Sequence, residues 1–423
     1  MDPFVAVLAT MDTKSGEAGY LCDVLAELGH RTRIVDIGLR TTELADPERD
    51  VPAEVVAHAA GATLSDLRER TRRDRAMAEM AAGAGLLLQV WHGAGRLAGV
   101  LAVGGNQGTA VAAAAMRPLP YGVPKVVVST VASGNVRGYV GDSDVTMMFS
   151  VADLLGGPNP VTAPVLRSAA AAVAGMVAAG QPLAAGGDRP LVATTAFGNT
   201  HAAVTTAIER LRAAGVDTVA FHASGACGSA MERLIAEGVF AGVLDLTTHE
   251  LLGEVEPADI YTPVRPGRLT AAGARGIPQV LVPGGCEYFC FGAEETIPAR
   301  LRDRPVHHHN PHNTNVRAAA GELDRLGALF AERANAATGP TTVLVPLQGW
   351  SEIGSPGGVL HDPAANAAFV ARLRADLAPH VEYRELDLQI NDPRFAVEAA
   401  DALLRHLPAA ATDRATATVI QGS

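Results

Sequence analysis

Residues 100–142 carry the pattern that most constrains what this chain can fold into. An apolar, strand-like run at residues 100–103 leads into a glycine-rich turn and then an alanine-rich helical segment. A second apolar run, residues 125–130, ends in a small polar loop. Glycine lets the backbone approach a ligand, and the first turn of a helix offers unpaired N–H groups to an anion. We therefore expect a parallel α/β fold in which two such loops bind phosphate or carboxylate at the ends of neighbouring strands.

The glycine spacing matches neither the dinucleotide fingerprint nor the Walker A pattern, since no Gly-Lys-Ser/Thr follows the turn. The alternative is a compact turn that binds nothing. The second loop favours a ligand site because it gathers short hydrogen-bonding side chains. These are Ser129, Thr130, Ser133 and Asn135.

Apolar runs that suit buried strands alternate with helix-periodic segments in both halves of the 423-residue chain. This alternation predicts two Rossmann-like domains, each a parallel sheet flanked by helices. We assign residues 1–180 to the first domain and residues 191–407 to the second, so that each is long enough for a core. Residues 181–190 form the predicted linker, and residues 408–423 a predicted disordered tail.

The composition is that of an ordinary globular protein, with 48% hydrophobic and 19% charged residues. The net charge of −11 argues against nucleic acid or a membrane surface as partner, although a bound nucleotide remains compatible with it. Four cysteines without a disulfide spacing, and no basic N-terminal segment, favour a cytoplasmic location. The apolar run at residues 169–180 is too short to cross a bilayer and predicts a packed helix, and residues 142–155 predict another helix.

The loop after the first predicted strand, residues 10–14, contributes candidate ligand-binding side chains. Open α/β sheets bind their ligands at the carboxyl ends of the strands, where this loop lies. Lys14 suits a phosphate group. Asp12 suits either a magnesium ion or the cap of the following helix.

The loop SGACGS at residues 224–229 is a second candidate anion site. Gly225 and Gly228 frame Cys227, and a cysteine at a helix N-terminus has a lowered pKa. Cys227 is therefore a candidate nucleophile, with His222 or His249 as its base. The alternative is a small side chain that fills a tight turn.

Residues 283–292 and 306–313 gather cysteine and histidine. Cys286 and Cys290, with the histidine run at 307–309, suggest zinc. However, Cys-x-x-x-Cys is not a usual structural-zinc spacing, and three consecutive histidines cannot all face one ion on a regular element. We therefore predict no metal held by these side chains.

Other polar residues of the second half are candidates for substrate contact and acid–base chemistry. His309 and Asn310 are expected to face the substrate, with a structural histidine as the alternative. Glu250, Glu287 and Glu352 lie in predicted loops, where acid–base residues of α/β scaffolds are often found.

Several long motifs resemble one family, the UPF0261 or Tm-1-like ATP-binding proteins. They run in order from ATMDTK, which ends at Lys14, to INDPRFA, and include GGNQGTA, VPKVVVSTVASG, YVGDSDVTMMFSVAD, FHASGACGSAMERLI and GVLDLTTHEL. The resemblance implies two Rossmann-like domains, a homodimer, and ATP with Mg²⁺ in the first half. By motif it implies ATP contacts at Thr10, Asp12, Thr13, Lys14, Gly104, Gly105, Asn106, Gly108, Thr109, Ser133 and Gly134.

The chain departs from the family pattern mostly in its second half, which implies a different small-molecule ligand there. The departures include Cys227, His249, Glu287, Tyr288 and Gly354.

We therefore predict a cytosolic ATP-binding protein, and expect an enzyme acting on a small polar or carboxylate metabolite in a cleft between the two domains. The expected substrate-binding residues are Ser224, Gly225, Gly228, Ser229, Thr247, Thr248 and Asn310. The expected catalytic residues are Cys227, Glu250, Glu287 and His309. One alternative is a non-catalytic regulator in which nucleotide occupancy alters partner binding. The other is a hydrolase or lyase that uses Cys227 or a His/Glu pair and needs no ATP.

Overall fold

The computed structural model describes residues 2–40, 42, 44, 46, 49–69, 72–180 and 187–407. Two compact units divide the chain, Met1–Ala184 and Ala185–Ser423. Residues 181–186 of the predicted linker and the whole predicted tail, residues 408–423, lie outside the described residues. Each unit contains its own parallel sheet flanked by helices, so the predicted class of two Rossmann-like α/β units is confirmed.

The first unit is built on a five-stranded parallel sheet. Its strands are β1 (Phe4–Ala9), β2 (Arg31–Asp36), β3 (Leu97–Gly104), β4 (Lys125–Ser129) and β5 (Thr146–Phe149). Its helices are α1 (Met11–Glu27), α2 (Ala53–Ala59), α3 (Leu64–Glu69), α4 (Arg73–Gly93), α5 (Asn106–Met116), α6 (Arg137–Val140) and α7 (Thr162–Ala179). The strand order is β2-β1-β3-β4-β5. The chain therefore reverses direction across the sheet between β1 and β3, which is the topological switch point.

Both faces of this sheet are covered, which explains why its central strands are continuously apolar. All six residues of β1 are buried. Successive side chains of a strand point to opposite faces, so β1 contributes side chains to two separate hydrophobic cores. One contains Phe4, Ala6 and Leu8, and the other contains Val5, Val7 and Ala9.

In the described part of the chain, α7 is the one helix long and apolar enough to cross a membrane by length and composition. Its residues Leu166, Ala170 and Val173 are fully buried. They share a core with Leu21 and Leu25 of α1. The apolar run at residues 169–180 thus belongs to a helix packed on its neighbours, as predicted.

The prediction of a helix at residues 142–155 is wrong. The segment contains β5, an edge strand whose Thr146 and Met148 lie opposite Val126 and Val128 of β4. Val151 follows with a φ of +68°, a conformation outside any helix. The run Val-Thr-Met-Met-Phe has enough β-branched and aromatic character to extend where a parallel neighbour offers hydrogen bonds.

The second unit contains a six-stranded parallel sheet and a smaller antiparallel one. The strands are β6 (Leu191–Ala196), β7 (Asp217–His222), β8 (Gly242–Asp245), β9 (Gln279–Leu281), β10 (Tyr288–Phe291), β11 (Val306–Asn310), β12 (Asn313–Arg317), β13 (Thr341–Pro346) and β14 (Glu382–Leu386). The helices are α8 (His201–Ala213), α9 (Ala226–Ala236), α10 (Ala271–Arg275), α11 (Ala320–Asn335), α12 (Pro363–Asp376) and α13 (Pro393–Leu404). The parallel sheet has the order β14-β13-β9-β8-β6-β7, so its switch point lies between β6 and β8.

The three-stranded antiparallel sheet, in the order β10-β12-β11, was not expected from the sequence. Two of its strands, β10 (YFCF) and β12 (NTNVR), alternate between apolar and more polar residues. Phe289, Phe291 and Val316 of one face are fully buried in a hydrophobic core. The opposite face carries the polar side chains described below.

Candidate functional site

The first unit has a pocket of about 520 Å³ at its switch point, called here the unit-1 pocket. It is formed by the loops that follow β1, β2 and β3, together with the start of α4. The lining residues are Thr10, Asp12, Thr13, Lys14, Ile37, Gly38, Leu39, Arg40, Arg73, Met77, Gly105, Asn106, Gln107, Gly108 and Val111. Two of the loops predicted to bind a ligand, residues 10–14 and the glycine turn after β3, therefore meet at one site, whereas the predicted loop after β4 is outside the lining.

Two helix N-termini open at the unit-1 pocket, those of α1 and α5. α5 begins after Gly105 without a side-chain cap. Among the described residues, the N–H groups of Asn106, Gln107 and Gly108 have no acceptor. Gly104 permits the tight turn, since a Cβ there would lie 3.0 Å from Cα of Gly108. This loop presents unpaired N–H groups and the positive end of a helix dipole to the pocket.

The charged side chains of the unit-1 pocket are mostly cationic. Lys14, Arg40 and Arg73 line it together with one carboxylate, Asp12, which leaves a local formal charge of 3 − 1 = +2. Lys14 is largely buried, and Arg40 Nε lies 3.8 Å from Asp12 Oδ2. The chain as a whole carries −11, so the pocket has the opposite sign to the protein around it.

Asp36 at the end of β2 organises the loops rather than offering a free carboxylate. Its Oδ1 accepts hydrogen bonds from the N–H groups of Met11 at 3.1 Å and Gly38 at 2.9 Å. Its Oδ2 accepts from the hydroxyl of Thr42. Burial raises the pKa of Asp36, and the three donors oppose that rise.

Seven of the predicted ATP contacts line the unit-1 pocket. They are Thr10, Asp12, Thr13, Lys14, Gly105, Asn106 and Gly108. The other four are outside its lining. Gly104 shapes the turn, Thr109 is buried with its hydroxyl 2.6 Å from that of Ser129, and Ser133 and Gly134 follow β4. Their role as ATP contacts stays a prediction. Sequence reasoning missed Arg40, Arg73 and Gln107.

The second unit has a pocket of about 490 Å³, called here the unit-2 pocket. It lies beside the loop after β6, the end of β7 and one face of the antiparallel sheet. The lining residues are Phe197, Gly198, Asn199, His222, Tyr261, Tyr288, Cys290, His307, His309, Asn313, Asn315, Glu352 and Ile353. Within this described lining there is no lysine or arginine, in contrast to the unit-1 pocket.

Six lining residues of the unit-2 pocket come from alternate positions of the antiparallel sheet. They are Tyr288 and Cys290 of β10, His307 and His309 of β11, and Asn313 and Asn315 of β12. The strand registers place Cys290 and His307 on either side of Asn315. His308 points to the other face, 3.9 Å from a carboxylate oxygen of Glu294. The predicted substrate contact at His309 lines the pocket, and Asn310 instead accepts a bond from His312 in the hairpin turn.

Two tyrosine hydroxyls of the unit-2 pocket each accept a hydrogen bond from an asparagine. Asn199 Nδ2 donates to Tyr288 Oη at 2.6 Å, and Asn313 Nδ2 donates to Tyr261 Oη at 2.8 Å. Asn315 Nδ2 in turn donates to Asn313 Oδ1 at 3.0 Å, which fixes the orientation of that amide. Burial raises the pKa of both tyrosines, well above the usual range for Tyr288, so both stay protonated.

His249 lies fully buried beneath these aromatic side chains. Its Nδ1 bonds the carbonyl of Gly285 at 2.7 Å, and its Nε2 lies 3.3 Å from Oδ2 of Asp259. Burial opposes a charged imidazole, but Cys290 and Asp259 outweigh it and hold the pKa of His249 well above its usual range. The His249 ring contacts Phe197 at 4.9 Å and Tyr288 at 5.4 Å between centroids.

Glu250, a predicted catalytic residue, belongs to a buried ion cluster. Its Oε1 accepts from the N–H groups of Gly225 and Gly228, and its Oε2 accepts from Arg268 Nε at 2.6 Å. Arg268 also bonds both oxygens of Asp245, at 2.6 and 2.8 Å, and Glu232 at 3.1 Å. A Cβ at Gly228 would lie 1.7 Å from Glu250 Oε2. Glu250 therefore holds the loop at residues 224–229 in place through the backbone N–H groups of that loop.

Glu287, also a predicted catalytic residue, is fully buried beside Ser351 and Gly354. Ser351 Oγ donates to its Oε1 at 2.6 Å, while Oε2 has no partner among the described residues. A Cβ at Gly354 would lie 1.9 Å from Oε1, so glycine makes room for the longer carboxylate. Burial raises the pKa of Glu287.

The remaining predicted residues of the second half are dispersed around the switch point. Cys227 is half-buried in the first turn of α9 and is absent from the described lining of the unit-2 pocket. Ser224, Gly225, Gly228 and Ser229 are likewise absent from that lining. Thr247 and Thr248 are fully buried, with hydroxyls bonded to Thr200 and to the carbonyl of Val282. In the described ranges, no three His, Cys, Asp or Glu residues are grouped to hold a metal ion.

The fold and the two pockets define a class of protein: two Rossmann-like units, each with a ligand-sized site at the carboxyl edge of its sheet. Comparison with known protein families then identifies the family to which the chain belongs. It belongs to the Uncharacterised protein family (UPF0261), whose N-terminal domain matches residues 3–182 and whose C-terminal domain matches residues 189–407.

Similar proteins cover nearly the whole chain. A UPF0261 protein of Clostridium tetani is 35% identical over 405 residues, which are 96% of this chain and 99% of that protein. The ToMV resistance protein Tm-1(GCR237) of Solanum lycopersicum is 32% identical over 434 residues, covering 96% of this chain and 56% of that protein. Among solved structures, the glycosyltransferase SnogD from Streptomyces nogalater is 12% identical over 96% of this chain and 99% of that chain. Its TM-score of 0.19 is too low to support any argument.

Proposed function

We propose that this chain binds ATP, with Mg²⁺, in the unit-1 pocket. One observation carries the proposal. At the switch point of the parallel sheet, two loops lead into the N-termini of α1 and α5. Three cationic side chains, Lys14, Arg40 and Arg73, line the same pocket. Free N–H groups, a helix dipole and cations together form the usual environment of bound phosphates.

The unit-1 pocket fits the parts of a nucleotide. Its volume of about 520 Å³ is in the range of cofactor sites. Ile37, Leu39, Met77 and Val111 supply apolar contacts for an adenine ring, on the same pocket as the cationic side chains. Lys14 and the α5 N-terminus would hold phosphate oxygens. Asp12 is the lining carboxylate, and a carboxylate oxygen is a ligand that Mg²⁺ favours.

The second pocket supports an enzyme rather than a nucleotide-binding regulator alone. A regulator needs one ligand site, whereas the second unit has a separate polar pocket lined by imidazoles, phenols and amides. We propose that it takes a small polar metabolite. A carboxylate is a poorer fit, because no lysine or arginine is present in the described lining. The cytoplasmic location and the homodimer stay predictions.

Calorimetric titration with ATP–Mg²⁺ tests the proposal directly. Lys14→Ala should weaken ATP binding roughly tenfold to a hundredfold, because it removes a charge-assisted hydrogen bond of about 1.5–3 kcal/mol. Arg31→Ala is the matched control, since Arg31 is an exposed cation at the amino end of β2 and is outside the pocket. Equal affinity of the Lys14 variant and the wild type would remove Lys14 from the site. No measurable ATP binding by the wild type would overturn the proposed function.

A further inference from the structure

The unit-2 pocket combines two hydroxyl donors with three imidazoles, those of His222, His307 and His309. An amide NH₂ group can only donate, so Tyr261 and Tyr288 must accept the bonds from Asn313 and Asn199. Each phenol keeps its own hydrogen. In the part of the chain that the structure describes, neither of these hydrogens has an acceptor. Both side chains line the pocket that a ligand would fill.

His222 faces the same space. Its ring lies 5.2 Å from that of Phe197 and 6.3 Å from that of Tyr261, measured between centroids. Burial lowers its pKa, which keeps the imidazole neutral and able to accept a proton near neutral pH. Glu250 opposes that shift and His249 adds to it.

The environment defines what kind of ligand the pocket accepts. Phe197, Tyr261 and Tyr288 provide flat apolar surfaces, and Glu352 is the one carboxylate in the described lining. With no lysine or arginine in that lining, a phosphate or carboxylate group would enter without a counter-charge. A planar, uncharged molecule that carries a carbonyl group suits these surfaces.

We propose that the unit-2 pocket is a site of proton transfer next to a carbonyl group, with His222 as base and the hydroxyls of Tyr261 and Tyr288 as oxyanion donors. His222 takes a proton from the carbon beside the carbonyl. The C–H electron pair forms a C=C bond, and the carbonyl π pair moves onto oxygen, which the phenols stabilise. The imidazolium then returns the proton to the same carbon or to a conjugated one. No oxidant, metal or second substrate is required.

The supporting residues hold this arrangement in place. The Asn315–Asn313–Tyr261 chain of hydrogen bonds orients one phenol, and Asn199 orients the other. His249, paired with Asp259, lies under both phenol rings at 6.0 and 5.4 Å between centroids. A cationic ring there favours negative charge on a bound oxygen. His249 acts through Tyr261 and Tyr288 and is a positioning residue.

Binding of 4-nitrophenol tests the donors without any turnover. Its phenolate mimics an enolate oxygen and is yellow, whereas the neutral phenol is not. We expect the wild-type protein to shift bound 4-nitrophenol toward the phenolate. Tyr261→Phe and Tyr288→Phe should each remove the shift and weaken binding roughly tenfold or more, while keeping the ring. Tyr383→Phe is the control, because its hydroxyl bonds Glu385 on β14, away from the pocket. An unchanged colour shift in both pocket variants would overturn the assignment of the donors.

Hydrogen exchange tests the base. In D₂O, 2-tetralone should lose the NMR signal of its most acidic C–H group about a hundredfold faster with the full-length protein than with buffer. His222→Gln should return exchange to near the buffer rate while 4-nitrophenol still binds. Exchange no faster than buffer, or unaffected by His222→Gln, would overturn the proton-transfer assignment. Neither experiment contains ATP, so their outcome is independent of nucleotide binding by the first unit.

Discussion

Arg268→Met should destabilise the second unit strongly, because Arg268 is the cation shared by three carboxylates. Its guanidinium makes four hydrogen bonds, one to Glu250, two to Asp245 and one to Glu232. Asp245 and Glu250 are essentially inaccessible to water, so each would become a buried charge without a counter-ion. Removing one partner of a buried ion pair costs about 3–5 kcal/mol.

The remaining hydrogen bonds moderate this cost. Asp245 keeps the hydroxyl of Thr195 at 2.6 Å, and Glu250 keeps two backbone N–H groups. Glu232 keeps the N–H groups of Leu269 and Ala271 and is partly solvated. We therefore expect a loss of about 4 kcal/mol. For a unit of this size, that corresponds to a fall of roughly 8–16 °C in melting temperature.

Tryptophan fluorescence isolates the unit concerned. The chain contains two tryptophans, Trp91 in the first unit and the fully buried Trp350 in the second. In a Trp91→Phe background, Trp350 alone reports urea or thermal unfolding of the second unit. Arg210→Met is the matched control, because Arg210 pairs with Asp401 at the surface and should contribute less than about 1 kcal/mol.

A double variant separates a charge effect from a packing effect. The cost of Arg268→Met is expected to arise from buried carboxylates that have lost their counter-ion. In that case, adding Glu250→Gln should restore about 1 kcal/mol or more of the unfolding free energy. A loss under about 1 kcal/mol for Arg268→Met alone would refute the account of this cluster. Glu250 would then not be held in a structural ion network, and its predicted catalytic role would regain support.

Three further predictions concern other charged groups. Lys125→Met should destabilise the first unit by about 2–3 kcal/mol, measured by Trp91 fluorescence during unfolding. The reason is that Lys125 Nζ is buried and donates to Pro120 O, Val123 O and Asp144. A loss below about 1 kcal/mol would contradict this. Burial raises the pKa of Glu287, so the native state binds more protons than the unfolded state between the ordinary and the raised pKa, and stability falls as pH rises through that window. Glu287→Gln should therefore reduce the fall in unfolding free energy measured between about pH 5 and about pH 8, and identical pH slopes would exclude this explanation. Asp12→Asn should diminish the gain in ATP affinity on adding Mg²⁺ while leaving binding in EDTA unweakened, and an unchanged gain would show that Asp12 holds no magnesium.

The fold class and the location of the unit-1 pocket could be predicted because they depend on local patterns. Continuous apolar strands, glycine turns and helix starts are encoded within a few residues of one another. Loops at the ends of neighbouring parallel strands must share an edge of the sheet, which brought Lys14 and Gly105 to one site. Arg40 and Arg73 were missed because a surface arginine has no local signature, and only the tertiary fold places these two beside the glycine loop.

The unit-2 pocket was harder to predict, although part of its signal is in the sequence. The strings YFCF and NTNVR alternate in polarity, which is the pattern of strands with one buried face. That pattern would have placed Tyr288, Cys290, Asn313 and Asn315 on one surface. The role of Glu250 could not be found in this way, since it depends on Arg268, a partner that sequence gives no reason to select.

Thermal unfolding with and without ATP–Mg²⁺, followed by Trp91 in a Trp350→Phe background, tests the central claim most directly. A ligand at about 100 times its dissociation constant stabilises the native state by roughly 2.7 kcal/mol. The account predicts a higher melting temperature for the first unit with ATP–Mg²⁺, and a smaller rise in the Lys14→Ala variant. No shift with ATP–Mg²⁺, but a shift with a small carboxylate or inorganic phosphate, would contradict it and would show that the glycine loops bind an anion other than a nucleotide.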